Sequence, residues 1–365
     1  MKIRAYADLH LFFDNNDMER YINNELHDLI HNIMDNKVDM IVFCGDLAHT
    51  TYQSSDKRFI NILNFVKNVI NVATKTKTQV RIIQGTTSHD GRIVEILNLM
   101  FSDSPVLKCI TSVTYEHIDG LILRYLPESY FASYTEFKSY AFSKPADITF
   151  FHGMVEGTMP MIQQKDSVTN LPKSVVISQS DLIQNTTHFS AGGHIHKHIN
   201  FNNKIFYINS LTTHNFSDLN DIKGYMEFEI KDGDYTYKYI ENKKAPKYIE
   251  VPIKSLHKLN RDEIKSIVGN VMITYKSTDF IRYLLTGDRN IKAMTNIAFI
   301  KTITKNYNIK IKDKLDEIEH KEDLSEDSDF FSDHSVSIAD KINKIALDKY
   351  NITLSIEDIE KYIQK

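Results

Sequence analysis

Ala191–His198 reads AGGHIHKH. Two histidines, His194 and His196, stand directly behind a pair of glycines. In an extended chain, positions i and i+2 project to the same side, so two imidazoles would face one point in space, as a metal ion requires. Gly192 and Gly193 would let the backbone come close to that point. The motif by itself more readily describes two surface histidines on a strand. Its meaning depends on whether the rest of the chain supplies further ligands.

Working outward, several apolar strand-like runs end in polar residues. Lys2–Ala7 ends in Asp8-Leu9-His10, Asp39–Cys44 in Gly45-Asp46-Leu47-Ala48-His49, Val80–Gln84 in Gly85-Thr86-Thr87-Ser88-His89-Asp90, and Ile148–Phe151 in His152-Gly153. Between the first three lie segments with helical apolar spacing: Met18–Asp35, Lys57–Thr74 and Gly91–Phe101. Strand–helix repetition with polar strand ends is the α/β layout, in which ligands bind at the carboxyl edge of the sheet. Further on, the pattern predicts a hairpin within Val106–Leu126 turning at Asp119-Gly120. A helix at Tyr134–Phe142, a loop over Met154–Lys173, a short helix at Ser180–Asn185 and a strand at Lys204–Asn209 follow. A second hairpin turns at Asp232-Gly233.

Composition shifts near Asn242–Pro252, marking a boundary. Beyond it the spacing predicts helices at Glu263–Val268, Ala293–Lys305, Ile338–Tyr350 and Ile356–Ile363, with one strand at Val271–Lys276. Asp313–His334 carries ten acidic and two basic residues, a local charge of −8 within a chain of net −4, so the remainder is about +4. That run reads as a flexible solvated linker. The uneven charge leaves a polyanionic substrate open. A chain of 365 residues with 42% hydrophobic and 25% charged residues is a soluble protein of about two domains. With no membrane-length apolar run, no signal peptide and two isolated cysteines, Cys44 and Cys109, the expectation is a cytoplasmic protein with reduced thiols.

Asp8, His10, Asp46, His49, Ser88, His89, His152, His194 and His196 thus arrive on separate strands that a parallel sheet would gather at one edge. Any one of them alone is an ordinary cap or surface residue. Together they form a nitrogen and oxygen donor set without cysteine, suited to manganese, iron or zinc. There are too many donors for one ion. Two ions sharing a carboxylate would activate water and neutralise the oxygens of a phosphate ester.

The series Asp8-Leu9-His10, Gly45-Asp46, Ser88-His89-Asp90, His152-Gly153 and Gly193-His194-Ile195-His196 resembles the five motifs of the calcineurin-like metallophosphoesterases. Three features resemble the SbcD branch, the double-strand-break-repair nucleases: His49 three residues after Asp46, the run FFHGMVEG, and IFYINSLTTHNFSDLNDIKGYMEFEI. The resemblance covers about Met1–Ile240. It implies an α/β fold, an αββα sandwich of two mixed β-sheets flanked by helices, with a small C-terminal α+β capping region and helices. The implied divisions are a nuclease domain over 1–245, a capping domain over 246–310, an acidic linker over 311–334 and C-terminal helices over 335–365.

The resemblance also implies roles. Asp8, His10 and His196 would hold one metal, His152 and His194 the other, and Asp46 would bridge them. His89 would donate a proton to the leaving oxygen, Asp90 would orient it, and His49 would position the phosphate. The cofactor would be two divalent ions, manganese first, with magnesium, iron or zinc as alternatives. The activity would be 3′–5′ exonuclease and single-strand endonuclease cleavage in DNA repair or recombination. The partners would be DNA, an SbcC-type ABC ATPase and a second copy of the chain, with no membrane. Ile338, Ile342, Ile345 and Leu347 would face the ATPase or close a small core of their own.

One position departs from the family. Its motif has Asn directly before the catalytic His as a ligand of the second metal, and this chain has Ser88. A serine hydroxyl is a shorter and weaker neutral ligand, so a higher metal requirement is expected. Two other readings stay open: a phosphatase or phosphodiesterase on another substrate, and a catalytically weak DNA-end scaffold. His27-Asp28-Leu29-Ile30-His31 imitates the zinc-protease motif but fits an ordinary amphipathic helix. His117, His188, His198 and His214 have no assignable partners; His214 and Asn215 could line the cleft, but surface residence is the expectation. The aromatic residues of Tyr125–Phe142 are expected in the core rather than stacked on bases.

Overall fold

Alternate residues of the first strand enter different cores. β1 (Lys2–Tyr6) sends Ile3 and Ala5 into one apolar cluster and Tyr6 into another. β2 (Met40–Cys44) divides Met40, Val42 and Cys44 from Ile41 and Phe43 in the same way. A strand with apolar residues on both faces needs a covering layer on each. The computed structural model, which describes residues 1–11, 28–128, 130–158, 174–214, 218–219, 221–275, 279–305 and 309–316, supplies both layers.

The first sheet adds β3 (Gln79–Ile83), β4 (Leu107–Ile110), β11 (Gly224–Lys231) and β12 (Asp234–Glu241), in the order β12-β11-β1-β2-β3-β4. β1 to β4 run parallel, and β11 and β12 are an antiparallel margin. The second sheet has the order β5-β6-β7-β8-β10-β9, from β5 (Thr114–Ile118), β6 (Leu121–Leu126), β7 (Ala146–His152), β8 (Thr186–Gly193), β9 (Ile199–Phe201) and β10 (Ile205–Tyr207). It too is mixed, with β6, β7, β8 and β10 parallel. Its Leu123, Tyr125, Ile148, Phe150, Phe189 and Phe206 share one core with Ile3, Val42, Ile83 and Phe228 of the first sheet, so the sheets pack face to face.

Helices cover the outer faces. α1 (Lys57–Thr76), capped by Asp56, and α3 (Ile93–Met100) bury Ile62, Phe65, Val69, Val94 and Leu97 against Tyr6, Phe43 and Ile82. Residues 28–35 are helical and add Leu29 and Ile33 to that cluster, while Asp28 pairs with Lys244. The imitation protease motif is therefore an amphipathic helix face over its described residues. α4 (Tyr134–Ala141) and α5 (Gln179–Asn185) bury Phe137, Ala141 and Leu182 against Leu126, Phe151 and Tyr207. Of the aromatic residues expected in the core, Tyr125 and Phe137 are buried, Phe131, Tyr134 and Phe142 are half-buried, and Tyr130 and Tyr140 are exposed. The result is helix, sheet, sheet, helix, built on two six-stranded mixed sheets.

Within Val106–Leu126, the β5–β6 hairpin turns at Asp119 and Gly120, both at positive φ (51° and 80°) as such a tight turn requires. The preceding β4 belongs to the other sheet.

The region after 246 differs from expectation. It forms a three-stranded parallel sheet, β13 (Tyr248–Ile253), β14 (Phe280–Asp288) and β15 (Ile309–Asp316), with α6 (Arg261–Thr274) and α7 (Ile291–Ile303) connecting them. The expected strand at Val271–Lys276 is a misreading. Val271–Thr274 is the last turn of α6, because Ile264, Val268 and Val271 fall on one buried helical face. β15 also runs across the expected boundary at 310, so the first residues of the expected linker are strand. The rest of that linker, the expected helices over 335–365 with Ile338, Ile342, Ile345 and Leu347, residues 18–27, Asn215 and most of the Met154–Lys173 loop lie outside the described residues. Among the described residues, no helix is long and apolar enough to cross a membrane.

Candidate metal centre

The chain leaving β1 runs beside the chain leaving β2. Asp8 N donates to Gly45 O at 3.1 Å, His10 N to Asp46 O at 2.9 Å and Leu11 N to Leu47 O at 2.8 Å. Asp8, His10 and Asp46 take φ values of 50°, 44° and 49°, a left-handed region that non-glycine residues rarely enter. These kinks bring Asp8, His10 and Asp46 into one buried group whose ligand atoms lie within 4.8 Å of one another. Glycine permits the second sheet to end against this group. A Cβ on Gly45 would stand 2.1 Å from His152 Nδ1, and one on Gly193 would stand 2.4 Å from Cys44 O and 3.0 Å from Asp8 Oδ2.

His194 and His196 do not share a strand face. β8 ends at Gly193, and His194 turns off at φ 95°. The two rings consequently reach different groups. His196 joins His10, with Nε2 atoms 3.0 Å apart, and His214. His194 joins His152 and Glu128. Asp46 lies between the groups, with Oδ2 3.8 Å from His10 Nε2 and Oδ1 3.3 Å from His152 Nε2. Asp8 Oδ1 is 4.0 Å from His196 Nε2 and 3.9 Å from His152 Nδ1, and its carboxylate accepts from His194 N.

Electrostatics divides these donors. Burial, reinforced by neighbouring histidines, holds His10 and His214 well below the usual imidazole range, and burial lowers His196 to about 4. All three are neutral at pH 7, the form that ligates metals. Burial pushes Asp8 upward. Burial would also raise Asp46, but the charge and hydrogen bond of His152 outweigh it and hold Asp46 at about 2. His152 is the counterpart: burial opposes its charge, yet Asp46 and Asp8 raise it to about 10.

The donor set fits divalent cations. His152 Nδ1 donates to Cys44 O at 2.9 Å, leaving Nε2 directed toward Asp46. Such a second hydrogen bond is what fixes a metal-ligating imidazole in its tautomer. At most one proton can lie between His10 Nε2 and His196 Nε2. Their 3.0 Å separation is close to what two nitrogens make at about 2.1 Å from one ion and near a right angle.

The remaining expected residues are placed as follows. His89 Nδ1 donates to His49 O at 2.5 Å, and its ring stands edge-on to His10 at 4.5 Å between centroids. The ring of His49 lies 5.7 Å from that of His10. Asp90 does not orient His89, as was expected. Its buried carboxylate accepts from Ala48 N at 3.0 Å and Gly85 N at 2.7 Å, stapling the loops after β2 and β3. The group that fixes the His89 ring is the His49 carbonyl. Ser88 is exposed in α2 (Thr87–Asp90).

Three residues of the site were not assigned to it from the sequence, and a fourth, His214, was weighed for the cleft but expected at the surface. Glu128 faces His152 and His194. Thr86 donates its amide to Asp46 Oδ1 at 2.6 Å and its hydroxyl to Glu128 Oε2 at 2.9 Å. His214, expected at the surface, is buried against His10 and His196, with centroids at 4.7 and 4.9 Å. Lys223 is fully buried and donates to His196 O, Asn209 Oδ1 and Asp218 Oδ1. Asp218 in turn accepts from His214 N at 2.7 Å, so one ion pair holds the loops of both histidines. The other unassigned histidines have local roles: His198 stacks on Tyr239, His188 meets the Tyr235 ring edge-on, and His117 is exposed.

No family model matches the chain, and no curated protein matches it. Among the solved structures that match, one crystal structure aligns at a TM-score of 0.40 and 12% identity, covering 65% of this chain and 98% of the other, a likeness too slight to carry an argument.

Proposed function

We propose that this chain is a dimetal-dependent phosphodiesterase that hydrolyses DNA. The observation that supports this reading is the position of Asp46, one carboxylate oxygen toward His10 and the other toward His152, between two separate histidine groups. Asp8, His10, Asp46 and His196, with His214 beside them, would hold one ion, and Asp46, His152 and His194 the other. Bound there, two divalent ions would supply an activated water and neutralise charge on the phosphate oxygens.

The chain's own groups do the rest. The Nδ1–H of His89 is fixed on His49 O, so its Nε2 is the nitrogen left for proton transfer to a leaving oxygen. His49 lies beside His10 and His89, where it would steady the phosphate. Asp90 keeps the two loops in register from behind.

The choice of DNA, of manganese over magnesium, iron or zinc, and of an SbcC-type ATPase and a second copy as partners rests on the motif resemblance. The test is hydrolysis of labelled single- and double-stranded DNA with manganese, magnesium or EDTA. Metal-dependent cleavage supports the proposal. Faster turnover of a phosphopeptide or a cyclic nucleotide would move the substrate class, and DNA binding without turnover, with or without the ATPase, would make the chain a scaffold.

A further inference from the structure

We propose that Glu128 is a ligand of the second metal, standing in the role that the resemblance gives to Ser88. The inference rests on the dimetal reading above and adds a residue to it.

Glu128 lies just beyond the end of β6, which pairs with β7, the strand that carries His152. Its backbone N donates to Gln84 O at 3.3 Å, which anchors it beside the loop after β3. The side chain is only 3% exposed. Its Oε2 stands 3.7 Å from His152 Nε2 and 3.6 Å from His194 Nδ1, in a group whose ligand atoms all lie within 4.8 Å of one another. Burying a carboxylate this far is costly unless a cation or several donors meet it. The hydrogen bonds it accepts come from hydroxyls, Thr86 to Oε2 at 2.9 Å and Tyr130 to Oε1 at 3.5 Å.

A proton does not resolve the arrangement. His152 Nδ1 is engaged by Cys44 O. A proton on Nε2 reaches Asp46 Oδ1 at 3.3 Å but leaves Glu128 Oε2, at 3.7 Å, outside hydrogen-bond range. On the other side His194 Nδ1 faces the same oxygen at 3.6 Å, again outside hydrogen-bond range. Two imidazoles and a carboxylate converge here, with Asp46 3.3 Å from one of the imidazoles, and such a mixed nitrogen and oxygen set suits a divalent metal. Ser88 is exposed. The second site thereby gains an anionic oxygen donor where the family has a neutral amide, which favours a hard ion such as manganese.

The test is calorimetric titration of the full, chelator-stripped chain with manganese chloride. The wild type should bind two ions. In Glu128→Gln, which keeps the shape of the side chain, one ion should bind as before and the other roughly tenfold or more weakly. Glu128→Ala should do the same, with circular dichroism confirming that it folds; if it does not fold, Glu128→Gln alone decides. Ser88→Ala should leave both affinities in place. Two ions binding to Glu128→Gln with wild-type affinities would overturn the role of Glu128 and leave the dimetal reading standing. Fewer than two ions in the wild type would instead overturn the dimetal reading.

Discussion

His10 Nε2 and His196 Nε2 face each other at 3.0 Å, although 186 residues separate them in the chain. Among the described residues His10 Nδ1 is buried with no hydrogen-bond partner, so Nε2 is the nitrogen that meets His196 and Asp46. One proton between them makes a hydrogen bond, and a cation held by both nitrogens would take its place. Manganese should therefore raise the thermal midpoint of the chelator-treated protein, by the equivalent of about 2.7 kcal/mol at a hundredfold excess over Kd. The rise should shrink in His196→Ala. Differential scanning fluorimetry with EDTA or manganese checks both.

The pH dependence has a definite sign. His152 is raised from 6.5 to about 10 by Asp46 and Asp8 against the pull of burial. In the metal-free protein its contribution to stability is fully present below pH 6.5 and is lost as pH rises through about 10. Asp46, lowered from 3.8 to about 2, contributes above pH 3.8 and is lost as pH falls through about 2. Metal must displace the His152 proton. The affinity of the second site should thus rise with pH between 6.5 and 10, by up to about tenfold per unit. Manganese titrations at several pH values, with proton release measured in two buffers of different ionisation enthalpy, read this directly.

His89 is held by a backbone carbonyl, and although it lies close to His10 and His49, it is not grouped with Asp46. His89→Ala should lower DNA hydrolysis by roughly a hundredfold to ten-thousandfold while two ions still bind. A loss of metal stoichiometry in this variant would make His89 a ligand instead.

The first group depends on an ion pair behind it. Lys223→Met removes the partner of Asp218, which is 2% exposed, and frees the carbonyl of His196. Breaking a buried pair by deleting one member costs about 3–5 kcal/mol. Urea unfolding should show a loss of that order, and the first manganese site should weaken more than the second.

Much of this was legible in the chain. The strands ending at Asp8, Asp46, Ser88 and His152 announce themselves because apolar runs stop at polar residues. The shared edge of the first three follows from their parallel order, but His152, His194 and His196 come from a second sheet packed against the first, not from the single parallel sheet expected. The split of His194 from His196 was hidden, since it turns on a left-handed φ at a non-glycine residue. Glu128 follows Leu126-Pro127 in a sheet whose pairing with β7 no local pattern reveals. His214 comes to the site only because Lys223 and Asp218 draw two loops together. The third sheet was missed where Val271–Thr274, apolar enough for a strand, continues the buried face of a helix.

The central claim is that two metals sit in this cleft. Anomalous diffraction at the manganese edge, from crystals of the full chain soaked in manganese, tests it most directly. The account predicts two peaks, one beside His10 and His196 and one beside His152, His194 and Glu128, with Asp46 between them. A single peak, or none at saturating metal, would contradict it.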